Sequence, residues 1–282
     1  MSTTFRALPP CPWKSTFLAH LSNLTSPEFT LATLAQTSKG SPIPYLPRAR
    51  TCIFRGMWAE LPANAKNKAN MNPKVFESEC PTFTTDVRME KVEQLFSSSP
   101  GKDGLSQQNE SAAEESSGGG GPVEAVFWIS ETSTQWRIKG RAWVVGPDIE
   151  NEDQLQTSGV RTVKSEIGKR MRITEKGKGK EGEWSWMKEL TAHFGNMSPG
   201  ARGMFRQPPP GQPVSAVYDK EHQMGTTVED LDDRLARKYF RVVIIRPEEV
   251  EATDLSDPNK ARRRRYSFEE ETGEWTNEEL WP

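Results

Sequence analysis

A mainly β, α+β architecture is what the sequence predicts: a small β-barrel of about six mainly antiparallel strands with short peripheral helices. At least six segments carry strand patterning, and short turns or single helices join them. The clearest segment is QWRIKGRAWVV, where Trp136, Ile138, Ala142 and Val144 alternate with Gln135, Arg137, Lys139 and Arg141. That period of two gives one apolar face and one polar face. No internal repeat is visible.

The elements follow in order. Trp13, Phe17, Leu21 and Leu24 recur at helical spacing ahead of Ser26-Pro27, predicting a short amphipathic helix. FTLATLAQ (residues 29–36) is rich in strand formers, SKGSP is a turn, and RTCIFRGMW (residues 50–58) reads as the paired strand. After a polar loop over residues 62–75, TFTTD (residues 82–86) is a third strand. It leads into RMEKVEQLF, where Val92, Leu95 and Phe96 mark one helical face. VEAVFWI (residues 123–129) has the composition of a buried strand. Trp186, Leu190 and Phe194, spaced by four, form a helical stripe before the Pro-rich FRQPPPGQP, and the two tryptophans Trp184 and Trp186 read as core. A short acidic helix over residues 227–238, a strand FRVVII (residues 240–245) and a hairpin RRRRYSFEEETGEW follow. The organisation expected is one domain over residues 1–282 with two insertions lacking packed structure, at 97–121 and 147–183. The first is a Ser/Gly/Glu tract that buries too little apolar surface to offset its ordering entropy.

Composition agrees with a packed part smaller than the chain. Only 34% of the 282 residues are hydrophobic, with 21 Gly and 21 Pro, and the mean hydropathy is −0.73. The 12 Phe and 9 Trp nevertheless supply a core. The 37 basic and 39 acidic residues leave a net charge of −2, so no global field attracts nucleic acid or an anionic membrane. Cys11, Cys52 and Cys80 are odd in number and widely spread, which suits free thiols in a reducing compartment. No apolar run approaches the roughly 20 residues a membrane span needs, and no signal-peptide core is seen, so a cytoplasmic protein is expected.

Several chemistries lack their residues. His20, His193 and His222 show no H-x-x-x-H spacing and the cysteines no C-x-x-C, so no metal is expected. G-x-S-x-G, P-loop and G-x-G-x-x-G patterns are absent. The basic runs at 262–265 (RRRR) and 176–180 (KGKGK) could serve as targeting or nucleic-acid patches. For the first, with Tyr266, Phe268 and three glutamates behind it, a solvated strand face is the better reading.

Five segments, in order, resemble the FMN-binding split-barrel family related to pyridoxamine 5′-phosphate oxidase, in a branch divergent from the oxidase proper. FTLATLAQTSKGSPIPYLPRARTCIFRGM is similar to its "L-A-T … G-x-P … R-x-x-x-x-R-G". FTTDVRMEKVEQL is similar to "T-D-x-R-S-x-K-x-x-x-L", and FWISETSTQWRIKGRA to "F-W-x-x-x-T-x-x-Q-x-R-I-x-G". WMKELTAHFGNMSPGARGMFRQPPPG and FRVVIIRPEEVEATDLS complete the series. The resemblance implies a split β-barrel, bound FMN and a homodimer with two flavins at its interface. It also implies that Arg50, Arg55, Thr84, Thr85, Arg88 and Lys91 surround the flavin phosphate, and that Gln135 reaches the ring from the barrel wall. Arginine suits a phosphate because its planar fork can bond two oxygens at once. Arg50 and Arg55, five apart, face opposite sides of a regular strand, so Arg55 is assigned to the ring edge or substrate.

The departures bear on activity. Met89 stands where the branch has Ser, Gln207 where it has Trp, and the closing "R-x-H-D-R" of the oxidase is replaced by a histidine-free run. Arg264 of that run is the candidate substrate contact, and no catalytic residue is assigned. The reading is an FMN-binding protein, expected to be a flavin-dependent oxidoreductase of unknown small-molecule substrate. Its alternatives are a non-catalytic FMN carrier and a true pyridoxamine/pyridoxine 5′-phosphate oxidase.

Overall fold

The computed structural model describes residues 9–99, 117–150, 157–174, 177 and 182–282. Strands β1 (Glu28–Gln36), β2 (Tyr45–Ile53), β4 (Thr82–Asp86), β5 (Gly118–Ile129), β6 (Thr134–Val145), β8 (Phe240–Asp254), β9 (Arg262–Glu269) and β10 (Glu274–Leu280) form one antiparallel sheet. Its order is β10-β9-β8-β6-β5-β1-β2, with β4 also on β8. A separate two-stranded pair joins β3 (Phe76–Ser78) to β7 (Met171–Ile173). Helices α1 (Lys14–Leu21), α2 (Glu90–Ser97), α3 (Ser158–Gly168), α4 (Trp186–Gly195), α5 (Pro199–Gly203) and α6 (Arg234–Tyr239) lie around it. The fold class is the expected one, an open split barrel. No described helix is long and apolar enough to cross a membrane.

β8 organises the barrel. Residues Phe240 to Ile244 pair with β4, whereas Glu249 to Asp254 pair with β9, and β6 runs along the other edge throughout. At the handover Pro247, which has no N–H to give, lies opposite Gly140, and the register with β6 shifts by a bulge. A Cβ at Gly140 would sit 2.1 Å from the Arg246 carbonyl oxygen, so the bend requires glycine there. At the opposite end of the sheet, Arg55 N–H donates to the Thr82 carbonyl and Thr82 N–H to that of Gly56. These two bonds bring the chain after β2 against β4 without closing the barrel.

Side chains at alternate positions fill the interior. Phe29 of β1 stacks on Phe127 of β5 at 4.7 Å between centroids. Phe17 of α1 inserts edge-on to Phe127, Phe54 and Trp136. The same helix sends Lys14 to the Glu60 carboxylate and, at 3.7 Å, to Glu77. On the outer sheet face, Arg137 pairs with Glu124 at 2.5 Å and with Glu251 at 3.4 Å.

Both regions expected to lie outside the packed domain contribute to it. Ser117 and the glycines after it start β5, with Gly119 and Gly120 at φ +93° and +101°. A Cβ on Gly120 would meet the Trp143 ring at 2.6 Å, so the glycine run admits a close crossing. α3 buries Val160, Val163 and Ile167, a spacing of three and four on one face. Arg170, just beyond it, is 1% exposed, stacks over Phe268 at 3.1 Å and donates to Glu79 at 2.6 Å. The Trp275 indole N–H completes the buried Glu79 cage at 3.0 Å. Residues 100–116, 151–156 and most of the KGKGK run lie outside the described residues.

Other boundaries moved. β2 covers Tyr45–Ile53, not residues 50–58, because positive φ at Gly56 (+116°) and Ala59 (+72°) turns the chain and buries Trp58. The acidic helix shrinks to Arg234–Tyr239, where the Asp233 carboxylate caps Ala236 N–H. The basic run is the first half of β9, its arginines in cross-strand pairs: Arg263 with Glu251 at 2.7 Å and Arg265 with Glu278 at 2.5 Å.

Candidate functional site

Three of the expected site residues converge between β2, β4 and α2. In register, Leu31 of β1 lies opposite Arg50, and Ala125 of β5 opposite both Leu31 and Ile138 of β6. Arg50 therefore shares the interior face of the sheet. Its guanidinium donates to Thr33 Oγ1 at 2.6 Å, Gln94 Oε1 at 2.8 Å and the Leu31 carbonyl at 3.3 Å. Lys91, on the first turn of α2, is 9% exposed and donates to Thr85 Oγ1 at 3.2 Å. Cys52 lies near both cations; burial raises its thiol pKa, and Lys91 and Arg50 oppose that rise.

Every one of these acceptors is neutral. Among the described residues no carboxylate is within ion-pair distance of Arg50 or Lys91. Burial depresses the pKa of both, the Arg50 charge depresses that of Lys91 further, and Glu90 opposes the shift in each. Two like charges, Lys91 buried and Arg50 half-buried, with no carboxylate at ion-pair distance form a site that an added anion would stabilise.

The remaining expected residues are placed differently. Thr84 alternates with Thr85 along β4 and points to the opposite side, so only the second reaches Lys91. Arg88 is committed elsewhere: it grips Asp86 at 2.6 and 2.9 Å, donates to the Gln207 carbonyl at 3.1 Å and lies 3.8 Å over the Tyr239 ring. Its fork anchors the Pro-rich loop. Gln135 shares the outer face with Arg137 and Lys139, beside the half-exposed Trp128, and within one chain the sheet separates it from Arg50. Arg264, exposed on β9, lies across the sheet from Thr33 and Arg50, with four strands between β9 and β2.

Arg55, just after β2, is half-buried. Its Nε is buried without a partner, and burial lowers its pKa. His193 of α4 is fully buried, stacked on Trp58 at 5.7 Å and with neither ring nitrogen hydrogen-bonded. Burial and the Arg55 charge push that imidazole's pKa down to about 3. Glu189, one turn earlier, has an oxygen 3.8 Å from His193 Nε2, accepts from Ala59 N–H and Asn72 Nδ2, and is pushed up by burial to about 6. The sequence reading missed this pair. Its signal is the i,i+4 placement of two titratable residues inside the apolar stripe of Trp186, Leu190 and Phe194. No group of three or more potential metal ligands occurs among the described residues.

Residues 10–146 match the sequence profile of the pyridoxamine 5′-phosphate oxidase, FMN-binding domain. That stretch, just under half of the chain, is similar to this family's FMN-binding domain. No curated protein sequence matches the chain. Among solved structures, a pyridoxamine 5′-phosphate oxidase-related, FMN-binding protein from Nostoc punctiforme PCC 73102 has a TM-score of 0.57 at 18% identity, covering 98% of this chain and 100% of that one. PhzG from Burkholderia lata 383, solved with tetrahydrophenazine-1-carboxylic acid, gives 0.41 at 14% identity, covering 95% and 90%. The first of these supports the fold.

FMN is the cofactor of the family domain. It carries a phosphate dianion, a polar chain and a flat ring, so its site needs charged donors, hydroxyls or amides, and an apolar wall. The cluster of Arg50, Lys91, Thr85, Thr33 and Gln94 suits the phosphate, because its two cations are hydrogen-bonded only to neutral acceptors. Met89, at the N-cap of α2, supplies no side-chain cap, in keeping with the hydroxyl lost there.

Proposed function

We propose that the chain is an FMN-dependent oxidoreductase in which Arg50, Lys91 and Thr85 hold the flavin phosphate and Arg55 faces the ring edge or substrate. Buried Lys91 and half-buried Arg50, bonded to neutral acceptors with no carboxylate at ion-pair distance, carry this reading. Bound FMN supplies two-electron acceptance from an organic substrate. The protein's own part is to bind and orient: Lys91 contributes a point charge, Arg50 a planar fork, and Thr85 a hydroxyl able to donate. The three unpaired cysteines favour a cytoplasmic setting.

Gln135 and the exposed Trp128 favour a homodimer. Both lie on the face turned away from this chain's Arg50, so Gln135 would serve the flavin of a second copy paired isologously. The purified protein is expected to be yellow, with a flavin absorbance spectrum, and dimeric by light scattering. A colourless monomer that also fails to take up added FMN would overturn the proposal.

A non-catalytic FMN-binding role is the second reading. It is favoured by the arginine run, which has no histidine and in which Arg263 and Arg265 are spent on cross-strand pairs. Anaerobic titration with candidate amines, pyridoxamine 5′-phosphate among them, and with reduced nicotinamide separates the two. Bleaching of the flavin supports turnover, and a flavin oxidised throughout supports the carrier.

A further inference from the structure

The cluster around Arg50 opens to solvent at one end. Cys52, Arg50, Arg48 and Leu46 occupy alternate positions of β2 and so share its inward face. Their exposure rises in that order: Cys52 is 9% exposed, Arg50 is half-buried, and Arg48 and Leu46 are exposed. The register with β1 sets Thr33 opposite Arg48 and Ala35 opposite Leu46. Thr33 Oγ1 is the hydroxyl that accepts from Arg50, so Arg48 stands on the same face, about 7 Å further along the strand. The Arg48 carbonyl accepts from Arg50 Nη1 at 3.4 Å, which ties the two positions together. Among the described residues the Arg48 guanidinium donates to the adjacent Pro47 carbonyl at 3.2 Å and has no carboxylate within ion-pair distance. It is a third cation in line with Arg50 and Lys91, and beyond it the face turns apolar at Leu46 and Ala35.

We propose that the site also takes a flavin extended beyond its 5′-phosphate, FAD being the type case, with Arg48 holding the second phosphate and Leu46 and Ala35 offering the adenine an apolar surface. The inference rests on the reading of Arg50 and Lys91 as the phosphate site and of Arg55 as lying toward the ring. Under that reading the flavin runs along β2 from Arg55 to Arg50, and whatever follows the phosphate meets Arg48 and then Leu46. A terminal phosphate is a dianion, which Arg50 and Lys91 match. In a pyrophosphate the two charges are divided between two groups, and the outer one needs a donor of its own. A planar guanidinium fork supplies it, and because Arg48 is exposed the pairing carries little desolvation cost. The open end also spares the adenosine any need for a buried cavity.

The test compares the dissociation constants of FMN and FAD, read from flavin fluorescence, for the natural protein, Arg48→Gln and Arg50→Ala. FAD is expected to bind the natural protein within about tenfold of FMN. Arg48→Gln is expected to raise the ratio of the FAD constant to the FMN constant about tenfold, the worth of one charged contact made by FAD alone. Arg50→Ala is expected to weaken both flavins. FMN binding without measurable FAD binding would overturn the extension, and so would an Arg48→Gln loss equal for the two flavins or absent from both. The underlying reading fails in a different way: an FMN constant unmoved by Arg50→Ala would place the phosphate elsewhere, and the extension would fall with it.

Discussion

Lys91→Ala and Arg50→Ala are each expected to weaken FMN binding by about 1.5–3 kcal/mol, the worth of a charged hydrogen bond, or roughly ten- to a hundredfold in dissociation constant. The stability of the ligand-free protein should move the other way. Burial depresses both pKa values and the Arg50 charge adds to the depression at Lys91, so removing a cation relieves a desolvation cost and, for Arg50, a repulsion on Lys91. Thermal unfolding with and without FMN measures both effects: the unliganded variant melts no lower than the natural protein, and the increment that FMN adds shrinks. Unchanged flavin affinity in both variants would place the phosphate elsewhere. Arg88→Ala provides the contrast, because losing the bonds to Asp86 and the Gln207 carbonyl destabilises the unliganded protein itself.

Arg170→Ala is expected to cost about 3–5 kcal/mol of folding stability, as breaking a buried ion pair from one side does. Glu79 is 1% exposed and would keep only the Trp275 N–H at 3.0 Å and the more distant Arg172 at 3.8 Å. The stack on Phe268 would go as well. Adding Glu79→Gln should restore part of the loss, since the stranded charge goes with it. Urea denaturation of the two single variants and the double variant reads this directly, and strict additivity would contradict it.

Much of the fold was legible because its signals are local. The alternation around Trp136 and Ile138 places β6, and TFTTD marks β4 at its observed bounds. The parts that were not legible depend on partners distant in sequence. The glycines of β5 read as a linker, and close neighbours distant in sequence, Phe96 at Gly118 and Trp143 at Gly120, explain them. α3 carries its apolar stripe inside a polar stretch, where composition outweighs three buried residues. β2 ends early because Gly56 and Ala59 adopt left-handed backbone, which an apolar run does not announce. At the site, motif resemblance drew Arg50, Thr85 and Lys91 together. It could not see that Tyr239, some 150 residues away, and the loop at Gln207 had already claimed Arg88.

The shared strand β8 bears on how this protein can be divided. The family profile ends at residue 146, whereas β8 begins at Phe240. Yet β8 lies between two members of the matched segment, with β6 on one edge and β4 on the other. Truncation after residue 146 would strip both strands of their ladders to β8 and leave those edges unpaired, the usual start of aggregation. The recognisable half of the chain is therefore a unit of descent and not a unit of folding. Flavin-site engineering must carry the C-terminal strands with it.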